Sequence, residues 1–169
     1  AANVTIDGGT TALVIAASTV DGDLTLTSGN VAGITDTGTL TIGGNLSATT
    51  DDNAGVVTLD SLAVDGSIAL ATNSTGNATV SNDAGLEFAA STVGGALTAT
   101  AVTGNIIDSG ALTIAGTSAF TTSADDATIT LNTSTNAFTG AVTLTTNDGD
   151  GTAANVTIDG GTTALVIAA

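Results

Sequence analysis

Apolar and polar residues alternate over short runs along the whole chain. The pairs Leu24/Leu26, Leu40/Ile42, Val57/Leu59, Ile68/Leu70, Leu97/Ala99, Leu112/Ile114, Ile129/Leu131, Val142/Leu144 and Leu165/Ile167 carry the pattern. A period of two sends these side chains to one face of an extended backbone and the intervening Thr, Ser and Ala to the other, and β-branched residues favour that backbone. Turns rich in Gly, Asp, Asn, Ser and Thr separate the runs. No 3.6-residue stripe persists, and 22 Gly in 169 residues would break any helix. The pattern predicts an all-β chain of many short strands.

Repetition selects among all-β architectures. Residues 1–17, AANVTIDGGTTALVIAA, recur unchanged as 153–169, so 1–152 is one full tandem period and 153–169 starts the next. A weaker repeat of roughly 72 to 79 residues splits the period into two diverged halves, roughly 16–88 and 89–167. AASTVDGDL (Ala16 to Leu24) matches AASTVGGAL (Ala89 to Leu97), ITDTGTLTIGG (Ile34 to Gly44) matches IIDSGALTIAG (Ile106 to Gly116), and VDGSIALAT (Val64 to Thr72) matches FTGAVTLTT (Phe138 to Thr146). A sandwich would show hairpin turns and a core of large side chains. Small aliphatics with only Phe88, Phe120 and Phe138 instead suit a narrow core in which each coil stacks on its predecessor, a parallel β-helix or β-solenoid. Six to eight coils per period would advance the axis by roughly 30 to 40 Å, at about 4.8 Å per stacked strand.

Composition then removes chemistry. The chain has no Lys, Arg, His, Cys, Met, Pro, Trp or Tyr, and its 16 acids give a formal charge of −16. Without imidazole, thiol, amine or phenol, only carboxylates and unassisted hydroxyls remain, so an enzyme is not expected, and neither catalytic nor cofactor-binding residues are assigned. Without cations the chain would repel nucleic acid and anionic membrane surfaces. No apolar run approaches the length of a membrane helix, so membrane insertion by this segment is not expected either. At 42% apolar and 9% charged residues, the chain is no disordered acidic tail.

The phrases LTLTSGN (Leu24 to Asn30), ITDTGTLTIGGNL (Ile34 to Leu46) and FTGAVTLTT resemble the tandem β-strand repeats of giant bacterial surface proteins, the filamentous-haemagglutinin-like adhesin class. The resemblance covers nearly the whole chain. It implies export to the cell surface and a rod of stacked coils, the shaft of an extracellular filament, stalk or adhesin. Its partners would be further copies of the same repeat, in tandem along the chain and through lateral bundling.

The acids are the candidate chemical sites. Fifteen of the 16 are Asp, and nearly all sit beside turn formers. Asp21 and Asp23, Asp51 and Asp52, Asp125 and Asp126, and Asp148 and Asp150 cluster where turns are expected, and hard oxygen ligands so spaced suit weak Ca²⁺ binding. Neither the EF-hand loop nor the GGxGxDxUx calcium repeat is present. The competing expectation is that Asp side chains bond turn backbone and keep a rod soluble. Thr25/Thr27, Thr39/Thr41, Thr98/Thr100, Thr128/Thr130 and Thr143/Thr145 are expected to point outward. A flat array of such pairs resembles ice-binding solenoids, but the spacing between pairs is irregular, and ordinary outward strand residues account for them. A structural rod is the favoured function, a glycan- or ice-binding adhesive surface the alternative, and a carboxylate-only glycoside hydrolase the least favoured.

Overall fold

The computed structural model describes residues 1–51, 54–149, 151 and 154–168. Every strand pairing in it is parallel, and the described residues contain no helix. The chain is a β-solenoid. Its first turn holds β1 (Val4–Asp7), β2 (Leu13–Ile15) and β3 (Ser18–Val20), its second β4 (Leu24–Ser28), β5 (Ile34–Asp36) and β6 (Leu40–Ile42), and its third β7 (Leu46–Thr50) and β8 (Val57–Val64). The fourth has β9 (Ser67–Ala71) and β10 (Ala78–Asn82). The fifth has β11 (Leu86–Phe88), β12 (Ser91–Val93) and β13 (Leu97–Ala101). The sixth has β14 (Ile106–Asp108), β15 (Leu112–Ile114) and β16 (Ser118–Asp125), and the seventh β17 (Ile129–Leu131), β18 (Ala137–Phe138) and β19 (Val142–Asn147). An eighth begins with β20 (Val156–Ile158), and Ile167 bridges back to Val142.

Two sheets face each other across the core. One runs β1-β4-β7-β9-β11-β14-β17-β20 with β12, β15 and β18 alongside; the other runs β2-β5-β8-β10-β13-β16-β19 with β3 and β6. The inward rows are the alternating aliphatics: Leu24, Leu26, Leu40, Ile42, Val57, Leu59, Ile68, Leu70, Leu97, Ala99, Leu112, Ile114, Ile129, Leu131 and Val142 are all buried. Leu144 and Leu165 are partly buried against the same cluster. Each coil supplies one layer, so burial of aliphatic area and parallel pairing accumulate together along the axis.

Seven turns carry the chain from Val4 to Val156, 152 residues later, and return the copied strand to the same sheet as the original. Half of that is three and a half turns. Strands that match in sequence between the halves therefore lie on opposite sheets: β2 (LVI) and β11 (LEF), 73 residues apart, β4 and β13, and β5–β6 and β14–β15 all exchange sides. The duplicated unit repeats by a half-turn screw, and only two units restore the starting face.

In five of the first seven turns one side is a single strand and the other is broken into two; the third and fourth have a single strand on each side. The broken side is β2/β3 and β5/β6 in one sheet, then β11/β12, β14/β15 and β17/β18 in the other. The changeover lies at β8, which pairs with both β5 and β6, and at β9, which pairs with both β11 and β12. Buried Asn82 stitches the transition, accepting the Val64 N–H at 2.8 Å and donating to the Val64 and Gly85 carbonyls at 3.1 and 2.7 Å. At the corners glycines stack backbone on backbone. Gly66 N–H donates to Gly44 O and Gly44 N–H to Gly22 O, both at 3.0 Å, and a Cβ at Gly44 or Gly66 would fall within 3 Å of the backbone one turn earlier. Gly76, Gly95 and Gly116 build a second stack of the same kind.

Candidate functional site

Polar side chains on the broken edges and corners accept the backbone N–H groups that strand pairing leaves over. Asp23 donates its N–H to Asn3 Oδ1 at 2.9 Å, its own Oδ1 accepts Asn45 N–H at 2.8 Å, and Asn45 Oδ1 accepts the Ser67 N–H at 2.9 Å. Asn77 accepts Ala96 N–H at 2.8 Å and Asn105 accepts Thr128 N–H at 2.7 Å. Asp36, at the end of β5, takes the N–H groups of Asp60 and Ser61. Its match Asp108 takes those of Asn132 and Thr133, and also Asn136 Nδ2 at 2.6 Å. These acids hold backbone from one turn to the next, which is the structural work expected of turn Asp.

The Asp residues considered as Ca²⁺ ligands fare differently from one another. Asp23 is engaged in its corner ladder, and Asp21 and Asp51 are exposed and join no group of three acids among the described residues. Asp52 and Asp150 lie outside the described residues. Asp125, Asp126 and Asp148 come together: all are exposed, and each offers a carboxylate oxygen within 4.8 Å of the others. The fold builds this cluster by ending β16 one coil below the end of β19. Asp125 accepts the Gly149 N–H, Asp126 takes a left-handed backbone (φ 59°) and donates its N–H to Asn147 O at 3.0 Å, and Asp148 accepts Gly151 N–H at 2.7 Å. Three clustered carboxylates with no basic side chain in the protein are donors of the kind a hard divalent cation takes, the balance of its six to eight oxygens coming from backbone or water.

The Thr pairs point outward, and none is buried. Thr25, Thr27 and Thr130 lie on the eleven-stranded sheet, while Thr98, Thr100 and Thr145 join regular hydroxyl rows on the other. Thr35, Thr58, Thr79 and Thr98 form one continuous row across β5, β8, β10 and β13, and Ser81, Thr100, Thr121 and Thr145 form a second across β10, β13, β16 and β19. Irregular corners absorb the variable spacing, so strands of the same parity come into register.

Sequence reasoning missed the buried polar residues at strand ends. Thr50, Thr72 and Thr122 sit at inward positions and donate to the corner carbonyls of Gly55, Gly76 and Ala127 at 2.9, 2.6 and 3.1 Å. Their signal is an alternation that runs one step past its last aliphatic into a hydroxyl, as in LSATT. A groove at the changeover, lined by Val64, Asp65, Gly66, Gly85, Glu87 and Asn105, also had no sequence signature. Its polar side chains are two carboxylates and an amide.

Stacked coils joined by glycine and Asn/Asp corners define a tandem-repeat β-solenoid. The chain belongs to the family described as repeats of unknown function (DUF5649), whose unit matches residues 1–74 and again 75–145. No curated protein and no solved structure is similar to it.

Proposed function

We propose that this chain is a non-catalytic structural segment, a length of the rod or shaft of an extracellular bacterial filament, stalk or adhesin. The observation that carries the reading is the half-turn screw: two family repeats make seven uninterrupted turns and return the strand order to its starting face, so units add without a change of section. Polar corner residues are spent on holding one turn to the next. The excess of carboxylates keeps such a rod soluble and apart from its neighbours. Immunogold labelling of intact source cells, with antibodies raised against the folded chain, tests the location. Gold along surface filaments is expected; label confined to the cytoplasm overturns the reading.

A second reading, an adhesive face, is favoured by one observation, the two aligned hydroxyl rows on the nine-stranded sheet. Glycan-array and ice-recrystallisation assays on the chain test it. Binding lost in Thr98→Val/Thr100→Val supports an adhesive role, and no binding on either assay leaves the plain rod.

A further inference from the structure

On one edge of the rod the corners widen from turn to turn through the changeover. Two residues join β8 to β9 (Asp65 and Gly66), three join β10 to β11 (Asp83 to Gly85), and four join β13 to β14 (Val102 to Asn105). The tight glycine stack ends at this point. Gly66 donates its N–H to Gly44 O one turn earlier, and among the described residues neither Ala84 nor Gly85 donates one to Gly66. The step between the corners is a groove of about 330 Å³, at the small end of ligand-binding cavities.

Its lining sets carboxylates beside apolar surface. Asp65 and Glu87 supply the charge, Ala84 and the 39% exposed Ile107 the apolar part, and Asn105 is fixed by the Thr128 N–H, which donates to its Oδ1 at 2.7 Å. Glu87 is the only Glu among the 16 acids, and it stands mid-strand in β11, half-buried on the outward row Ser67, Glu87, Ile107, rather than in a turn. Asp23, Asp36 and Asp108 hold corner backbone, whereas no hydrogen bond among the described residues reaches the side chain of Asp65 or Glu87. The coil does not need these two acids. In the other half of the period the matching positions are Thr139 and Val14, and coils form there without either carboxylate.

We propose that this groove is a docking site for an arginine side chain presented by a different protein. The guanidinium meets Asp65 and Glu87, and the methylene stem lies along Ala84 and Ile107. The counter-charge cannot come from another copy of this repeat, which has no Lys, Arg or His. A divalent cation fits less well, because it takes six to eight oxygens and much of this lining is apolar. Seven turns restore the starting face, so in a tandem array the groove recurs once per 152-residue period, about 34 Å apart at about 4.8 Å per turn. A partner with arginines at that spacing gains avidity from each further groove it reaches.

Titration of the isotopically labelled full chain with acetyl-arginine amide, followed by backbone amide chemical shifts at constant ionic strength, tests this. Saturable shifts confined to residues 64–66, 84–87 and 105–107 are expected. Binding should weaken about tenfold or more in Glu87→Gln, and equally when acetyl-citrulline amide, which keeps the shape of arginine without its charge, replaces the probe. Glu87→Val installs the residue of the other half and should also lose binding, while unchanged shift dispersion shows that the variant is folded. No saturation at the groove, shifts spread evenly over the Asp corners, or equal binding of citrulline overturns the proposal. Millimolar Ca²⁺ alone producing the same saturable shifts overturns it in favour of a metal site. These outcomes concern the groove alone and leave the location of the rod to immunogold labelling.

Discussion

The second and third turns and the sixth and seventh carry matching strands on opposite sheets, yet they fill the core differently. In the first half one ladder reads Leu26, Ala48, Leu70; its match reads Ala99, Phe120, Leu144. Another reads Leu24, Leu46, Ile68 against Leu97, Ser118, Val142, and a third Val20, Ile42, Val64 against Val93, Ile114, Phe138. All three Phe lie in the second family repeat, residues 75–145. Phe120 crosses the core from one sheet to meet Phe88 and Phe138 of the other edge to face, with ring centroids at 6.3 and 6.1 Å. The corner glycines changed far less: Gly22, Gly44 and Gly66 answer to Gly95, Gly116 and Gly140, and the corner carboxylate Asp36 to Asp108. Corner backbone allows no substitution at close approach, whereas core volume can be traded along a ladder provided the sum is kept.

That trade gives the largest expected effect. Phe120→Ala installs the residue the first half has at this position, but without Leu26 beside it, and strands two edge-to-face partners. It should cost about 3–5 kcal/mol in urea melts. Adding Ala99→Leu copies the whole first-half ladder and should recover part of the loss. The reverse change, Ala48→Phe, overpacks a ladder that already holds Leu26 and Leu70 and should cost about 1–3 kcal/mol. If the double variant is no more stable than Phe120→Ala alone, the ladder is not the unit of compensation.

The two corner carboxylates sharpen the comparison. Asp36 holds two backbone N–H groups, whereas Asp108 also holds the amide of Asn136, a buried residue that stands where the first half has Leu62 and whose Oδ1 accepts Leu112 N–H at 2.8 Å. Removing Asp108 leaves a buried amide with fewer partners. Asp108→Ala should therefore cost about 2–3 kcal/mol and Asp36→Ala about 1, measured as the difference between the two melts. Equal losses would mean that Asn136 finds another partner and that the third bond adds nothing.

Much of this was legible before any coordinates. Alternation alone identified the inward rows, and small aliphatics with repetition pointed to a solenoid. The half-turn exchange was not, because it depends on the number of residues per turn, and ladder partners stand 20 apart at Val4/Leu24, 22 at Leu24/Leu46 and 24 at Phe120/Leu144. Variable corners hide the turn length while preserving strand parity. For the same reason the outward Thr rows looked irregular. The Asp residues were legible as turn residues, but which of them would meet depended on where neighbouring strands end, and only Asp125, Asp126 and Asp148 among the described residues do so as three.

A smaller effect of opposite sign is expected at Ser118. Its hydroxyl is buried at an inward position, where the first half has Leu46, and makes no hydrogen bond. Register places it between Leu97 and Val142. Ser118→Val replaces a hydroxyl with methyl groups on a strand that favours β-branching. It should stabilise the chain by about 1 kcal/mol. An unchanged or lower melting temperature would show that the hydroxyl has a water partner worth as much as the added apolar contact.

The smallest effect tests whether the halves also differ at their acidic corners. Asp125, Asp126 and Asp148 stand where the first half has Asn53, Ala54 and Ser74, so the described three-carboxylate cluster belongs to the second half alone. Its like charges repel, and monovalent salt relieves that repulsion by screening, over a Debye length of about 8 Å near physiological ionic strength. A divalent ion also supplies a charge that all three carboxylates can share. Thermal melts at matched ionic strength should then place the midpoint higher in millimolar Ca²⁺ than in Na⁺. Asp148→Ser, which makes this corner resemble the first half, should remove the excess while leaving the Na⁺ response nearly intact. Coincident Ca²⁺ and Na⁺ melts of the unmodified chain would reduce the cluster to ordinary turn carboxylates, and an excess that survives Asp148→Ser would move the cation to other acids of the rod.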